Sequence, residues 1–153
     1  MAKPFTDTLT EPATGSHRLV VEDSPDPADL ALLETEVAAA AIAAAGQGED
    51  QEFGIFLRDE TGRVMAGISG SVWGGYCELQ AMWVHESLRG QGLARVLMAR
   101  AEAEARRRGC RLVVFLAYDL LVPGFYSRLG YETVGVVDGC PAGSAARWYC
   151  KRQ

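Results

Sequence analysis

The stretch from Val84 to Ala94 constrains this chain more than any other part of its sequence, because it joins a strand to a helix through a loop with two glycines. Glycine lets a backbone turn tightly and come close to a ligand. The first N–H groups of a helix have no acceptor within the helix, and the helix dipole favours negative charge there. This junction therefore predicts an anion-binding site that suits phosphate groups.

Two common phosphate-binding motifs do not match this loop. A Walker A loop ends in Gly-Lys-Ser/Thr, whereas Gly92 is followed by Leu93 and Ala94. A dinucleotide-binding fingerprint needs a small residue where Arg95 stands, and it follows the first strand of its domain. The loop therefore belongs to neither class.

Three strand-like runs precede the loop. Phe53–Leu57 and Val64–Trp73 are joined by a polar turn, a pattern typical of a hairpin. Tyr76–Val84 follows the Gly74-Gly75 turn and has the same strand character. We expect three consecutive antiparallel strands. Upstream, His17–Glu22 predicts a short strand, and an alanine-rich helix is predicted to begin at Asp26-Pro27 and to end at Gly46.

A helix and a second group of strands follow the loop. Helical spacing of apolar residues predicts a helix over Gly92–Arg108, with Val96 on its inner face and Glu102 on its outer face. Leu112–Ala117 then predicts a strand parallel to Tyr76–Val84. The remaining predictions are a short helix over Gly124–Leu129 and strands over Tyr131–Val137 and Arg147–Lys151. The fold class is α/β, with a mixed, mostly antiparallel sheet of six to seven strands flanked by helices.

Size and charge narrow the class of partner. A chain of 153 residues suits one domain, predicted here over 17–153 after a flexible lead-in over 1–16. The net charge of −5 argues against nucleic acid, which needs a clustered basic surface, and suits a cationic small substrate. No stretch approaches the ~20 apolar residues of a membrane span, and no signal-peptide core is present. These features predict a cytoplasmic location.

The four cysteines give no sign of a metal or redox site. They are widely separated and none belongs to a Cys-x-x-Cys pair. We expect no metal ion. Buried free thiols are the simplest interpretation, because a catalytic cysteine would need a base and the chain has only His17 and His85.

Two motifs together resemble the GNAT superfamily of acyl-CoA N-acyltransferases. The loop spells Arg-x-x-Gly-x-Ala at Arg89, Gly92 and Ala94, and Pro123–Glu132 looks like the family's late helix and following strand. The resemblance extends from about Arg18 to Arg152. It implies a splayed pair of parallel strands at an acetyl-CoA site, and direct attack of an amine on the thioester without a covalent enzyme intermediate.

The resemblance also implies which residues bind acetyl-CoA. Backbone N–H groups of Gly90 to Arg95 would bind the pyrophosphate. The strand Met82–Val84 would pair with the pantetheine arm, with the acetyl carbonyl beside Met82 or Trp83. The complete implied set is Met82, Trp83, Val84, Arg89, Gly90, Gln91, Gly92, Leu93, Ala94, Arg95 and Phe125.

An acid and a base are implied in the same way. Tyr126 matches the family's general-acid tyrosine, and a phenol pKa near ~10 keeps it protonated at neutral pH. Glu78 is the leading base, because it is expected to share a strand face with Gln80 and some members carry a base at one of these positions. Gln80 is an amide that takes up no proton, so it is assigned to substrate binding. His85 is the second choice.

One position departs from the family pattern. Many members carry an asparagine seven residues before the tyrosine, where this chain has Asp119. A carboxylate cannot donate the amide's N–H, so Asp119 is interpreted as a ligand of the substrate amine or as a second base. Tyr118 and the segment Leu120–Val122 are expected to line the same acceptor side.

The predicted function is transfer of an acetyl group from acetyl-CoA to a primary amine of a small molecule, such as a polyamine, an amino sugar or an antibiotic-like amine. Three alternatives stay open: a protein or peptide N-acetyltransferase, a non-catalytic acyl-CoA-binding sensor, and a toxin acting on charged transfer RNA. The acidic charge balance argues against the last. Exposed sheet edges leave a homodimer open.

Overall fold

The computed structural model describes residues 20–46, 48, 50–118 and 123–153. The chain divides into two compact units, Met1–Ala40 and Ala41–Gln153. Half of the predicted strand over His17–Glu22 lies outside the described residues, and Val20 to Glu22 form no strand. The division into a lead-in and one domain stays a prediction.

Helix α1 spans Pro27–Ala45. Its start is fixed by Asp26, whose Oδ1 accepts a hydrogen bond of 2.8 Å from the backbone N–H of Ala28. A side chain that accepts from the first turn satisfies one of the N–H groups the helix cannot pair itself. Gly46, with φ of 63°, follows the last turn. Both predicted ends of the helix are therefore confirmed.

Six strands of the described chain form one mixed sheet in the order β1-β2-β3-β4-β6-β5. Helix α2 connects β3 to β4, and the short helix α3 connects β4 to β5. The strands are β1 Gln51–Arg58, β2 Val64–Trp73, β3 Tyr76–Val84, β4 Leu112–Tyr118, β5 Glu132–Asp138 and β6 Ala145–Arg152, and the two helices are α2 Leu93–Arg107 and α3 Phe125–Arg128. The predicted fold class is confirmed.

The centre of the sheet is its one described parallel pair. β3 and β4 pair only between Tyr76–Glu78 and Leu112–Val114. Beyond those residues β3 stays paired with β2, and β4 stays paired with β6 to its last residue. The two strands therefore splay apart on the side of their C-terminal ends. The splay leaves backbone N–H and C=O groups of both strands without a partner strand, and such groups readily bind a ligand.

The core lies between the sheet and α2. Ala66, Ile68 and Val113 of the sheet are at most 2% exposed. Leu97, Met98, Ala101 and Ala105 of α2 are buried in the same cluster.

Two predictions for the faces of α2 are wrong. Val96 is 52% exposed, whereas Glu102 is 9% exposed. Glu102 was predicted to lie on the outer face because a carboxylate is rarely buried unless it is paired. Its partner is Lys151 of β6, whose Nζ lies 2.9 Å from Glu102 Oε2.

The described helices include none with the length and hydropathy needed to cross a membrane.

Candidate active site

The loop before α2 has the geometry of an anion-binding site. Gly90 and Gly92 have φ of 76° and 81°, a left-handed conformation that strains other residues. Gly92 is the N-cap of α2, and the first hydrogen bond of the helix is donated by Val96 to the Gly92 carbonyl, at 3.2 Å. The N–H groups of Leu93 to Arg95 therefore have no acceptor within the helix and are open to an anion.

This loop borders an open cleft of about 280 Å³. Arg89 Nε donates to the Val84 carbonyl at 3.1 Å, which ties the loop back to the end of β3. Gln91 Nε2 donates to the Ser87 carbonyl, so Gln91 stabilises the loop and is not among the lining residues. The cleft is lined by Val84, Leu88, Arg89, Gly90, Gly92, Leu93, Ala94, Arg95 and Phe125. All of these except Leu88 belong to the predicted cofactor-binding set, and the space, the glycines and the free N–H groups fit a pyrophosphate.

A second cavity, of about 50 Å³, lies in the splay between β3 and β4. It is bordered by Gln80 and Met82 from β3 and by Tyr126 from α3. Sequence reasoning missed Leu79, Met98 and Phe115, which also line it. Their apolar character indicates only core positions, and no sequence signal distinguishes a cavity wall from the rest of a core.

A β-bulge shapes the β3 side of this cavity. Ser69 pairs with Ala81 and the next residue, Gly70, pairs with Leu79, so Gln80 is an extra residue on β3. Gln80 and Ala81 are both exposed, after which Met82 turns back toward the core. Gly70 permits this arrangement, because a Cβ there would lie 2.5 Å from the Glu78 carbonyl oxygen. A bulge re-aims side chains at a functional site.

Tyr126 lines the splay cavity from α3. Its ring packs edge-on against Phe115, with centroids 4.6 Å apart, and lies 5.1 Å from the ring of Tyr149. Burial raises the pKa of the Tyr126 phenol above its usual value, and the neighbouring Tyr149 adds to the rise. The phenol therefore carries its proton at neutral pH, as the predicted acid role requires.

Of the other predicted polar residues, Glu78 and Tyr118 do not border this cavity. Glu78 is half-buried and pairs with Val114 at the last position before the splay, outside the residues that line the cavity. Alternation holds from Tyr76 to Gln80, so Glu78 and Gln80 share a strand face as expected. Tyr118 ends β4, is exposed, and lines neither cavity described above. Asp119 and Leu120–Val122 lie outside the described residues.

Two further candidates are placed away from the splay cavity. The side chain of Trp83 is 48% exposed and lies with Phe56 and Ala81 around a separate surface pocket. His85 is the N-cap of a single helical turn, with its Nδ1 2.8 Å from Ser87 Oγ. This local contact occupies one ring nitrogen of His85.

Among the described residues, no three His, Cys, Asp or Glu side chains come together in a way that could hold a metal ion. The cysteines are free thiols, but only Cys77 and Cys110 are buried, whereas Cys140 is exposed and Cys150 is half-buried. The interpretation that all four are buried is wrong for Cys140, which follows Gly139 in the loop between β5 and β6.

This difference in burial predicts a difference in reactivity. Burial raises the pKa of Cys77 to about 12, so almost none of it is the reactive thiolate at pH 8. With an aromatic disulfide reagent, we expect Cys140 to react at least ~100-fold faster than Cys77 in the folded protein. Mass spectrometry of labelled peptides measures both rates, and Cys140→Ser should remove the fast phase. Equal rates for Cys77 and Cys140 would contradict the burial.

Comparison with known proteins finds one family. Residues 17–131 match the model of the acetyltransferase (GNAT) family. The chain is 31% identical over 111 residues to the acetyltransferase Atu2258 of Agrobacterium fabrum, covering 72% of this chain and 81% of that protein. It is 36% identical over 85 residues to the blasticidin-S acetyltransferase of Streptomyces morookaense, covering 55% of this chain and 62% of that protein.

Solved structures show the same fold. A protein from Agrobacterium tumefaciens, provisionally assigned as an acetyltransferase, superimposes with a TM-score of 0.80 at 28% identity, over 90% of this chain and all of that one. An acetyltransferase from Bacillus cereus shares the fold at 23% identity, with a TM-score of 0.73 over 88% of this chain and 98% of that one. The family model covers well over half of the sequence, and the protein belongs to the GNAT family of acetyltransferases.

Proposed function

We propose that this protein transfers the acetyl group of acetyl-CoA to a primary amine of a small molecule. The observation that carries this proposal is the continuity of the site along β3. The glycine loop with its free N–H groups stands at the end of β3, and the splay cavity with Tyr126 opens farther back along the same strand. A long donor with phosphates at one end and a thioester at the other fits this arrangement.

The roles proposed for the residues follow from the chemistry. Acetyl-CoA supplies the thioester. The acceptor enters as an ammonium ion and must lose a proton before its nitrogen can form the new C–N bond. We assign that proton to Glu78, directly or through water, because Glu78 is the described carboxylate on β3 that lies next to the splay. When the C–S bond breaks, Tyr126 donates its proton to the leaving sulfur.

The proposed acceptor is a small cationic molecule such as a polyamine, an amino sugar or an amine antibiotic. The net charge of −5 favours approach of a cation. One relative points the same way, because it is named a blasticidin-S acetyltransferase. The cytoplasmic location stays a prediction.

Turnover of acetyl-CoA against a panel of amines tests this function. The panel contains a polyamine, an aminoglycoside, a nucleoside antibiotic with a free amine, amino acids and short peptides, and free thiol is measured over time. Cys140→Ser protein is used so that the enzyme's own exposed thiol adds no signal. We expect release above the no-amine rate, by at least ~10-fold, for one small amine class.

Two other results would replace the proposal. Release with peptides alone would make the protein a peptide N-acetyltransferase. Tight calorimetric binding of acetyl-CoA with no release across the panel would favour the sensor alternative. The Tyr126→Phe variant is the matched control in the same assay. It removes one oxygen atom from the splay cavity and leaves the loop unchanged, so it should bind acetyl-CoA and release thiol more slowly.

A further inference from the structure

The helix that carries Tyr126 cannot hold its own position. α3 has four residues, Phe125–Arg128, which make about one turn. One turn of helix is unstable in isolation, because nucleation fixes several backbone angles for a single hydrogen bond. It lies between Gly124 and Gly130, which have φ of 68° and 84°. Contacts from other elements must therefore position it.

Lys151 provides such a contact at the C-terminal end of α3. Its Nζ donates to the Leu129 carbonyl at 2.8 Å and to both carboxylate oxygens of Glu102, at 2.9 Å and 3.0 Å. An ammonium has three donors, and these three acceptors use all of them. Lys151 belongs to β6, so one side chain joins the sheet, α2 and the end of α3.

Tyr131 completes the same cluster from the chain that follows α3. Its hydroxyl donates to Glu102 Oε1 at 3.0 Å, and its backbone N–H donates to the Tyr126 carbonyl at 3.1 Å. The Leu129 N–H donates to the same carbonyl at 2.9 Å. Both residues that fix the Tyr126 carbonyl are thus held by Glu102 and Lys151.

Burying the cluster of Glu102, Lys151 and Tyr131 costs free energy, and the cluster lies at a specific place in the fold. Glu102 is 9% exposed, whereas the side chain of Lys151 is 28% exposed. An ion pair that is largely buried is weak evidence for stability, since apolar residues often serve as well. Glu102 lies on the helix whose first turn borders the predicted phosphate site. The pair therefore fixes the distance between that turn and the Tyr126 backbone.

We propose that Glu102 and Lys151 are positioning residues that hold Tyr126 in place relative to the donor-binding turn of α2. This inference rests on the proposed role of Tyr126. It assigns no proton transfer to either residue, because both act through hydrogen bonds to the backbone and side chain of the segment Leu129–Tyr131. Loss of the pair should therefore lower the chemical rate and leave donor binding largely intact.

The test compares two variants with a control. Lys151→Met removes the nearest cation from Glu102, leaving it the Tyr131 hydroxyl and Arg106, 3.9 Å away, and can fail to fold. The main variant is therefore Glu102→Gln combined with Lys151→Met, which removes both charges. Arg107→Met is the matched control, because it breaks a salt bridge to Glu104 on the exposed side of the same helix. The control should retain wild-type kcat.

Hydrogen exchange gives a readout that does not depend on activity. In the double variant we expect the amides of Leu129 and Tyr131 to exchange at least ~10-fold faster, whereas the amides of β2 keep their wild-type rates. Unchanged exchange at Leu129 and Tyr131 would overturn the proposal. Equal acceleration throughout the sheet would also overturn it, because it would indicate a general loss of stability.

Kinetics test the link to Tyr126. We expect kcat to fall by about 10- to 100-fold in the double variant, with KM for acetyl-CoA within about twofold of wild type. In a Tyr126→Phe background the double substitution should lower kcat by less than about threefold, because the hydroxyl that it positions is absent. An equal loss in both backgrounds would overturn the proposal. If Tyr126→Phe alone leaves kcat unchanged, the acid role fails, and hydrogen exchange still decides whether the pair holds α3.

Discussion

Replacing Tyr126 with phenylalanine is expected to lower kcat by about 10- to 1000-fold while acetyl-CoA affinity changes by less than about twofold. The variant removes only the hydroxyl, so the ring contacts with Phe115 and Tyr149 are retained and the fold should persist. Steady-state turnover with the best amine measures the first quantity, and calorimetry measures the second.

The raised pKa of Tyr126 adds a pH signature to this prediction. A phenol whose pKa lies above its ordinary value of 10.0 stays protonated throughout the range from pH 6 to pH 9. Loss of the Tyr126 proton should therefore cause no fall in wild-type kcat between pH 6 and pH 9. If kcat does fall in that range, it should fall in the phenylalanine variant as well. Unchanged turnover in the variant, or a descending limb near pH 8 that the variant lacks, would contradict the assignment of Tyr126 as the acid.

The Gly92→Asp variant is expected to lose acetyl-CoA binding, with affinity lowered by at least ~100-fold. Gly92 is the N-cap of α2, so an aspartate there can accept hydrogen bonds from the N–H groups of the first turn. Those are the groups proposed to bind the pyrophosphate. The substituted carboxylate would occupy them and repel the phosphates, and calorimetry with acetyl-CoA measures the result.

Two controls separate this effect from damage to the fold. A Cβ at Gly92 would have no atom within 4 Å, so the cost of substitution comes from its φ of 81° and not from a clash. Gly92→Ala carries the same backbone strain, of about 1–2 kcal/mol, without the charge, and should bind with less than ~10-fold loss. Gly62→Asp, at a φ of 85° in the turn between β1 and β2, should bind normally. Retained affinity in folded Gly92→Asp protein would show that the phosphates bind elsewhere.

The elements that depend on local pattern could be read from the sequence. The bounds predicted for β2 and β3, Val64–Trp73 and Tyr76–Val84, are those of the structure. Three of these four ends adjoin glycine-containing turns, which mark strand boundaries in a sequence. The loop could be read for the same reason, since a left-handed Gly92 and the first turn of α2 depend on neighbouring residues alone. Eight of the predicted cofactor-binding residues line the cleft beside it.

Tertiary structure decided the features that depend on residues distant in the sequence. The extra residue Gln80 on β3 exists because Gly70, on the facing strand, leaves room for the Glu78 carbonyl. Glu102 is charged and looks like a surface residue until Lys151, 49 positions later, is placed beside it. The sequence by itself thus determined the six strands of the sheet, the helices and the glycine turn before α2, because local backbone preferences and hydrophobic periodicity decide them. The walls of the cavity and the burial of Glu102 were decided only by packing, because a buried charge and an added residue are tolerated only where a partner from elsewhere in the chain compensates for them.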